Sequence, residues 1–136
     1  MTYQLSFSTR LSIIQDETGF LVPIIMSVGD QEVKIESYLD SGAKYCVLPR
    51  WVGEDLGLDV EAGETVQLKT GAGPMPAHLH YVTLCVGDLV FDDAPVCVAK
   101  YPEFDRCLLG RGGWLQSVRF GLVAYDDHLF LSLYDE

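Results

Sequence analysis

The chain has 136 residues and a formal net charge of −11, with 20 acidic side chains against 9 basic ones. That length suits one domain with a buried core, and the acidity argues against a nucleic-acid partner, whose phosphates need a basic surface. The most apolar stretch, Phe20 to Met26, is interrupted by Pro23 and is too short to span a bilayer.

Residues 1–10 show neither a basic leader nor a continuous apolar run, so a signal peptide is not expected and a soluble chain is. From there Leu5, Phe7, Thr9, Leu11 and Ile13 alternate with polar residues, the period of a half-buried strand. A turn is expected near Asp16-Glu17-Thr18-Gly19. Phe20, Val22, Ile24, Met26 and Val28 then alternate again, with Pro23 pointing to an edge strand or a bulge. After a turn at Gly29-Asp30, Val33 and Ile35 face inward on a strand that ends at Tyr38-Leu39. The hairpin thus delivers Asp40 to a strand end, followed by Ser41 and Gly42, a turn sequence.

Cys46-Val47-Leu48 reads as a short strand, and Pro49 starts one or two helical turns kept short by Gly53 and Gly57. Glu64 to Lys69 and Ala77 to Val86 are expected as strands on either side of a turn-rich tip, Thr70 to Pro76. Gly87-Asp88 turns into Leu89-Val90-Phe91, Asp92-Asp93 turns again, and Ala94 to Ala99 continues the sheet. Tyr101 to Arg106 reads as a loop, Leu108-Leu109 as an inner strand and Gly112 to Val118 as a short helix. Arg119 to Tyr125 and His128 to Tyr134 close the chain as a hairpin. Many short strands at regular turn spacing predict an all-β fold, closed or sandwich-like.

Two stretches carry chemistry. Tyr38-Leu39-Asp40-Ser41-Gly42-Ala43 resembles the D-[ST]-G-A signature of the aspartic proteases, in particular the single-lobe retropepsin-like family. Cys107-Leu108-Leu109-Gly110-Arg111 resembles that family's second signature, two apolar residues and then Gly-Arg. The resemblance implies a closed β-barrel of the single-lobe acid protease type, with one or two short helices, spanning residues 1–136. It also places the Leu108-Leu109 strand beside the strand that carries Asp40.

Aspartic proteases hydrolyse peptides with two carboxylates that share one proton, one acting as acid and the other as base toward water. Only Asp40 has the Asp-Ser-Gly context here, so a dyad requires a second copy related by two-fold symmetry. The resemblance implies the same homodimer, acting on a peptide or protein substrate without cofactor or metal. In it Asp40 is catalytic, Ser41 braces the paired loops and Gly42 offers backbone contacts. Ala43 and the flap tip Gly71-Ala72-Gly73 would then hold the substrate, with the glycines giving the tip its freedom.

Three features depart from the family pattern. Lys44 stands where the retroviral branch often has an Asp that pairs with the Arg of Gly-Arg, which leaves Arg111 without that partner. Pro74 and Pro76 stiffen the flap, and Gly112-Gly113 weakens the following helix. A non-catalytic dimerisation or peptide-binding module on the same fold therefore stays open, as does a monomeric β-domain with an ordinary Asp-Ser-Gly turn.

Other sites are weaker. Cys46, Cys85, Cys97 and Cys107 are widely spaced and read as buried free thiols in a reducing, cytoplasmic setting, although two disulfides remain arithmetically open. His78 and His80 share one face of a strand, either solvated or as the start of a metal site. Trp51 and Trp114 read as core or interface aromatics. A Walker-type phosphate loop and a G-x-S-x-G elbow are both absent.

Overall fold

The computed structural model describes residues 1–136. Eleven strands form: β1 (Thr9–Ser12), β2 (Ile14–Gln15), β3 (Phe20–Val28), β4 (Gln31–Leu39), β5 (Cys46–Leu48), β6 (Glu64–Thr70), β7 (Gly73–Val86), β8 (Leu89–Ala99), β9 (Leu108–Leu109), β10 (Val118–Val123) and β11 (His128–Leu133). One α-helix, α1 (Arg50–Asp55), and short 3-10 turns at Val60–Ala62, Leu115–Ser117 and Ala124–Asp126 complete the chain. The all-β class with little helix is as the turn spacing predicts.

The strands fall into two sheets. β1, β11 and β10 make a three-stranded sheet from the two ends of the chain. The other eight run in the order β2-β3-β4-β9-β5-β8-β7-β6, and β3 also pairs with β7, so the hydrogen-bonded neighbours return on themselves in a ring. Inside the ring the inward faces of β3, β7 and β8 meet: Val22, Met26 and Val86 are fully buried, as are Val98 and Trp114. Truncating a core side chain such as Met26 or Leu109 to Ala would cost about 2–5 kcal/mol.

The alternation of β3 holds, with Val22, Ile24 and Met26 in the core. Pro23 is tolerated because it lies between the two stretches where β3 has a second neighbour. β2 pairs with Phe20 and Leu21 on one side of it, and β7 with Ile25 to Ser27 on the other. Locally the strand is an edge there, and the missing N–H breaks no ladder bond.

Three local expectations are corrected. The first strand begins at Thr9 rather than Leu5, because the N–H of Ser8 donates to Ser132 Oγ at 2.7 Å as well as to the Leu131 carbonyl. A side chain has replaced the next step of the ladder, and Leu5 is left exposed. Asp92-Asp93 is not a turn: β8 runs through it as a β-bulge, with Thr83 of β7 facing both aspartates and Asp93 in the left-handed region at φ 52°. No α-helix forms over Gly112 to Val118. Gly113 sits at φ +100°, outside helical geometry, and only the 3-10 turn Leu115–Ser117 follows. The one α-helix is α1, capped by Pro49 and packed through buried Val52 and Gly53.

Trp114 lies in the core, whereas Trp51 is exposed and donates through Nε1 to Asp105 at 3.2 Å. All four cysteines are free thiols. No helix is long and apolar enough to cross a membrane.

Candidate active site

The centre of the fold is a crossing of two short segments. β9 lies parallel to β4, pairing Tyr38 with Leu108 and Leu39 with Leu109, and also contacts β5 through Val47. The ladder continues past the strand end, where the N–H of Asp40 donates to the Leu109 carbonyl at 3.0 Å. Beyond it the Arg111 and Gly112 amides donate to the carbonyls of Ala43 and Lys44 at 2.9 and 2.8 Å. The Asp40 loop is thus held on backbone bonds from the Gly-Arg segment, independent of any side-chain buttress. At Gly110 the two segments nearly touch: a Cβ there would run into the Tyr45 carbonyl and stand 2.9 Å from the Ala43 oxygen. Only glycine permits that approach.

The turn itself is built by Asp40. Its Oδ1 accepts the N–H of Gly42 at 3.0 Å, and its carbonyl accepts that of Ala43 at 3.2 Å. This Asx-type turn fixes the carboxyl group against its own loop. Two residues earlier, the Tyr38 hydroxyl donates to Asp16 Oδ2 at 2.6 Å, and the Arg106 guanidinium lies 5.8 Å from the centre of the Tyr38 ring. The hydroxyl bond holds the Asp16 carboxyl below its usual range and pushes the Tyr38 phenol up.

Above the loop, β6 and β7 form a hairpin whose last pair is Thr70 with Gly73. Its tip is Gly71-Ala72, closed by the Thr70 hydroxyl, which donates to the Gly73 carbonyl at 2.6 Å and accepts the Ala72 N–H at 3.2 Å. Gly73 at φ +107° supplies the conformation that other residues rarely adopt, while Gly71 does not need it. Pro74 and Pro76 are part of β7, opposite Lys69 and Gln67, where the hairpin projects beyond β8.

Between hairpin and loop opens a cleft of about 770 Å³. Asp40, Gly42, Ala43 and Gly71 line it, whereas Ser41, Ala72 and Gly73 stand outside its walls. Its floor is a small apolar cluster separate from the main core, in which Leu68 and Val47 pack with Met75, Phe104 and Leu108. Asp40 is the sole carboxylate in the lining, beside the cations Lys44, Lys69, Arg106 and Arg111. Of these, Lys44 and Arg111 belong to the two stretches that the sequence singles out. Lys69 and Arg106 come from distant segments, and no local spacing announces them. A shallower groove of about 520 Å³, lined by Leu11, Ile25 and Cys85 among others, holds no comparable cluster.

The departure at Lys44 has its expected consequence. Arg111 forms no ion pair, and its Nε only reaches the Ala43 carbonyl at 3.4 Å. Other nucleophiles are poorly placed. Burial pushes the Cys46 thiol up to about 11 and the Cys107 thiol up to about 12, so neither forms a thiolate near neutrality. His78 is buried rather than solvated and His80 is half-buried, and each is engaged by a backbone carbonyl. His78 Nδ1 bonds the Gly63 carbonyl at 3.0 Å and His80 Nε2 bonds the Val60 carbonyl at 2.9 Å, tying β7 to the 60–63 turn.

Comparison with known proteins agrees with this geometry. A crystal structure of a retropepsin-like aspartic protease from Rickettsia conorii superposes with a TM-score of 0.66 at 23% identity, covering 92% of this chain and 99% of that one. The retropepsin-like fold is therefore shared. No curated protein sequence matches significantly. Residues 24–112, which run from the core of β3 through the Asp40 loop and the hairpin to the Gly-Arg segment, match the family model described as aspartyl protease, and the chain belongs to that family.

Proposed function

We propose that this chain is an aspartic endopeptidase, one lobe spanning residues 1–136, that works as a homodimer. One observation carries the reading: a cleft large enough for an extended peptide holds a single carboxylate, Asp40, on a backbone-pinned loop. One carboxylate cannot be both general acid and general base in the same turnover. Two copies of Asp40 brought to a two-fold axis share a proton because both cannot ionise at such proximity, and the water between them is activated. The pair titrates as a unit.

In this reading the ring of strands is a closed barrel that keeps the loop rigid. Ser41 braces one loop against its mate, and Gly42 and Ala43 offer backbone groups to the peptide. The Gly71-Ala72-Gly73 tip closes over it as a flap and excludes water. A peptide added as an extra strand alongside the hairpin fits the mode of β-addition. The acidic composition favours a peptide over a nucleic acid. The four free thiols suit a reducing compartment such as the cytoplasm.

A quenched-fluorescent peptide library scanned from acidic to neutral pH tests the proposal, with Asp40→Asn as the control. Removal of an acid–base group should lower turnover by about 10²–10⁴-fold. Cleavage that survives Asp40→Asn would assign the activity to another group. Dimerisation without cleavage of any sequence would favour a peptide-binding module on the same fold.

A further inference from the structure

Four of the nine lysines and arginines in the chain line the Asp40 cleft, in a protein whose net charge is −11. They come from four separate segments: Lys44 follows the catalytic loop, Lys69 is on the hairpin, Arg106 precedes β9 and Arg111 follows it. None is spent on a carboxylate, since the ion pairs of this chain all involve Arg50. Lys44 rests 5.4 Å from the centre of the Tyr45 ring, and Arg106 lies 5.8 Å from that of Tyr38, where it acts on the Asp16 carboxylate from beyond ion-pair distance. All four are exposed at the rim, while the floor between them is apolar. Against one carboxylate the cleft is therefore positive, on a molecule that is elsewhere strongly acidic.

Scattered surface cations need no explanation, but a sign reversal confined to one concave surface focuses field into it and raises the local concentration of oppositely charged ligand. We propose that the cleft selects acidic peptides: extended segments with an apolar residue on the floor and Asp or Glu side chains reaching the rim. The inference rests on the peptidase reading for its site and goes beyond it in naming the substrate class. Two-fold pairing sets a second copy of the four cations across the axis. Acidic side chains are then favoured on both sides of the scissile bond, not on one.

The test takes the best-cleaved library peptide and prepares it in matched forms, Glu or Gln at the flanking positions, with the scissile residues unchanged. The acidic form should have the higher kcat/KM, by about fivefold per well-placed charge at low salt. The advantage should lie mainly in KM and shrink as ionic strength rises, as screening requires. Lys44→Glu with Lys69→Glu should abolish or invert the ratio, and Lys44→Gln with Lys69→Gln should flatten it should the reversed pair not fold. Equal kcat/KM for the Glu and Gln forms overturns the selectivity while leaving the peptidase reading intact. If no peptide is cleaved, the peptidase reading fails. Fluorescence anisotropy with labelled extended peptides, each an apolar residue flanked by Glu or by Gln in otherwise identical sequence, then decides the selectivity: tighter binding of the acidic form supports it, and equal binding overturns it.

Discussion

The carboxylate of Glu61 meets both terminal nitrogens of Arg50, at 2.7 and 2.9 Å, and Arg50 also donates to the Lys100 carbonyl at 2.8 Å. One guanidinium thus joins the start of α1, the Val60–Ala62 turn and the end of β8, the frame behind the cleft. The hydrogen bond from Arg50 lowers the Glu61 carboxyl from 4.5 to about 2 and raises Arg50 in turn. A carboxyl depressed on folding contributes stability above its unfolded value and loses it as pH falls through its folded value. Glu61→Gln should therefore melt below the parent at pH 7, by no more than a few degrees because the pair is exposed. The gap should narrow between pH 4.5 and pH 2. Thermal melts of both proteins across that range check it, and a gap that is constant with pH would assign the loss to packing. Side-chain pairings of this sort are where the sequence says least. His78 and His80 could be placed on one face by their spacing, but the carbonyls of Val60 and Gly63 that they bond lie on a turn no pattern connects to them. Lys69 and Arg106 are equally invisible as cleft cations in the chain, because their neighbourhood is made by the sheet order, whereas Lys44 and Arg111 ride on the two signatures.

Elements are far more legible where one face is wet and the other dry. The alternation in β3 and β4 carries strand type, inward face and the delivery of Asp40 together, because one face of each packs on the core. Legibility fails where the same residue types serve two geometries. Asp92-Asp93 looks like a turn because aspartate tolerates the left-handed region, and a β-bulge uses that same tolerance without reversing the chain. Gly112-Gly113 weakens a helix start, and here it removes the α-helix altogether. Leu108-Leu109 is too short for any periodicity to place, and only its resemblance to a family signature puts it beside Asp40, where the structure has it. The crossing it makes gives a test of what positions the loop. Gly110→Ala drives a methyl into the Tyr45 carbonyl and should cost at least about 2 kcal/mol, since backbone at this point cannot give way as a side-chain tip can. Gly71→Ala meets nothing within 4 Å at the hairpin tip and should shift stability by under about 0.5 kcal/mol. Urea midpoints of the two variants compare them directly. Equal, small shifts would mean that the segments slide apart without penalty and do not hold the loop.

At the scale of the whole molecule the question is whether one chain suffices. A cleft with a single carboxylate predicts that the active species contains two chains, so its activity must follow the association equilibrium and not the amount of protein alone. Specific activity should fall on dilution as dimers dissociate, and recover on concentration. A sharper measurement uses an inactive partner. Asp40→Asn changes one oxygen to nitrogen on a partly exposed loop and leaves the backbone bonds to Leu109 and Ala43 in place, so it should still pair with the parent. Mixed in equal amount and allowed to exchange, the two chains distribute at random, and about half of the parent chains end in dimers with a defective mate. If turnover needs both carboxylates, activity per parent chain falls to about one half, and continues toward zero as the variant is added in excess. If each lobe works alone, the added chain is inert and activity per parent chain stays constant. That second result would also explain why Arg111 has no ionic partner at the base of the loop: nothing would have to brace a two-fold axis that does not exist.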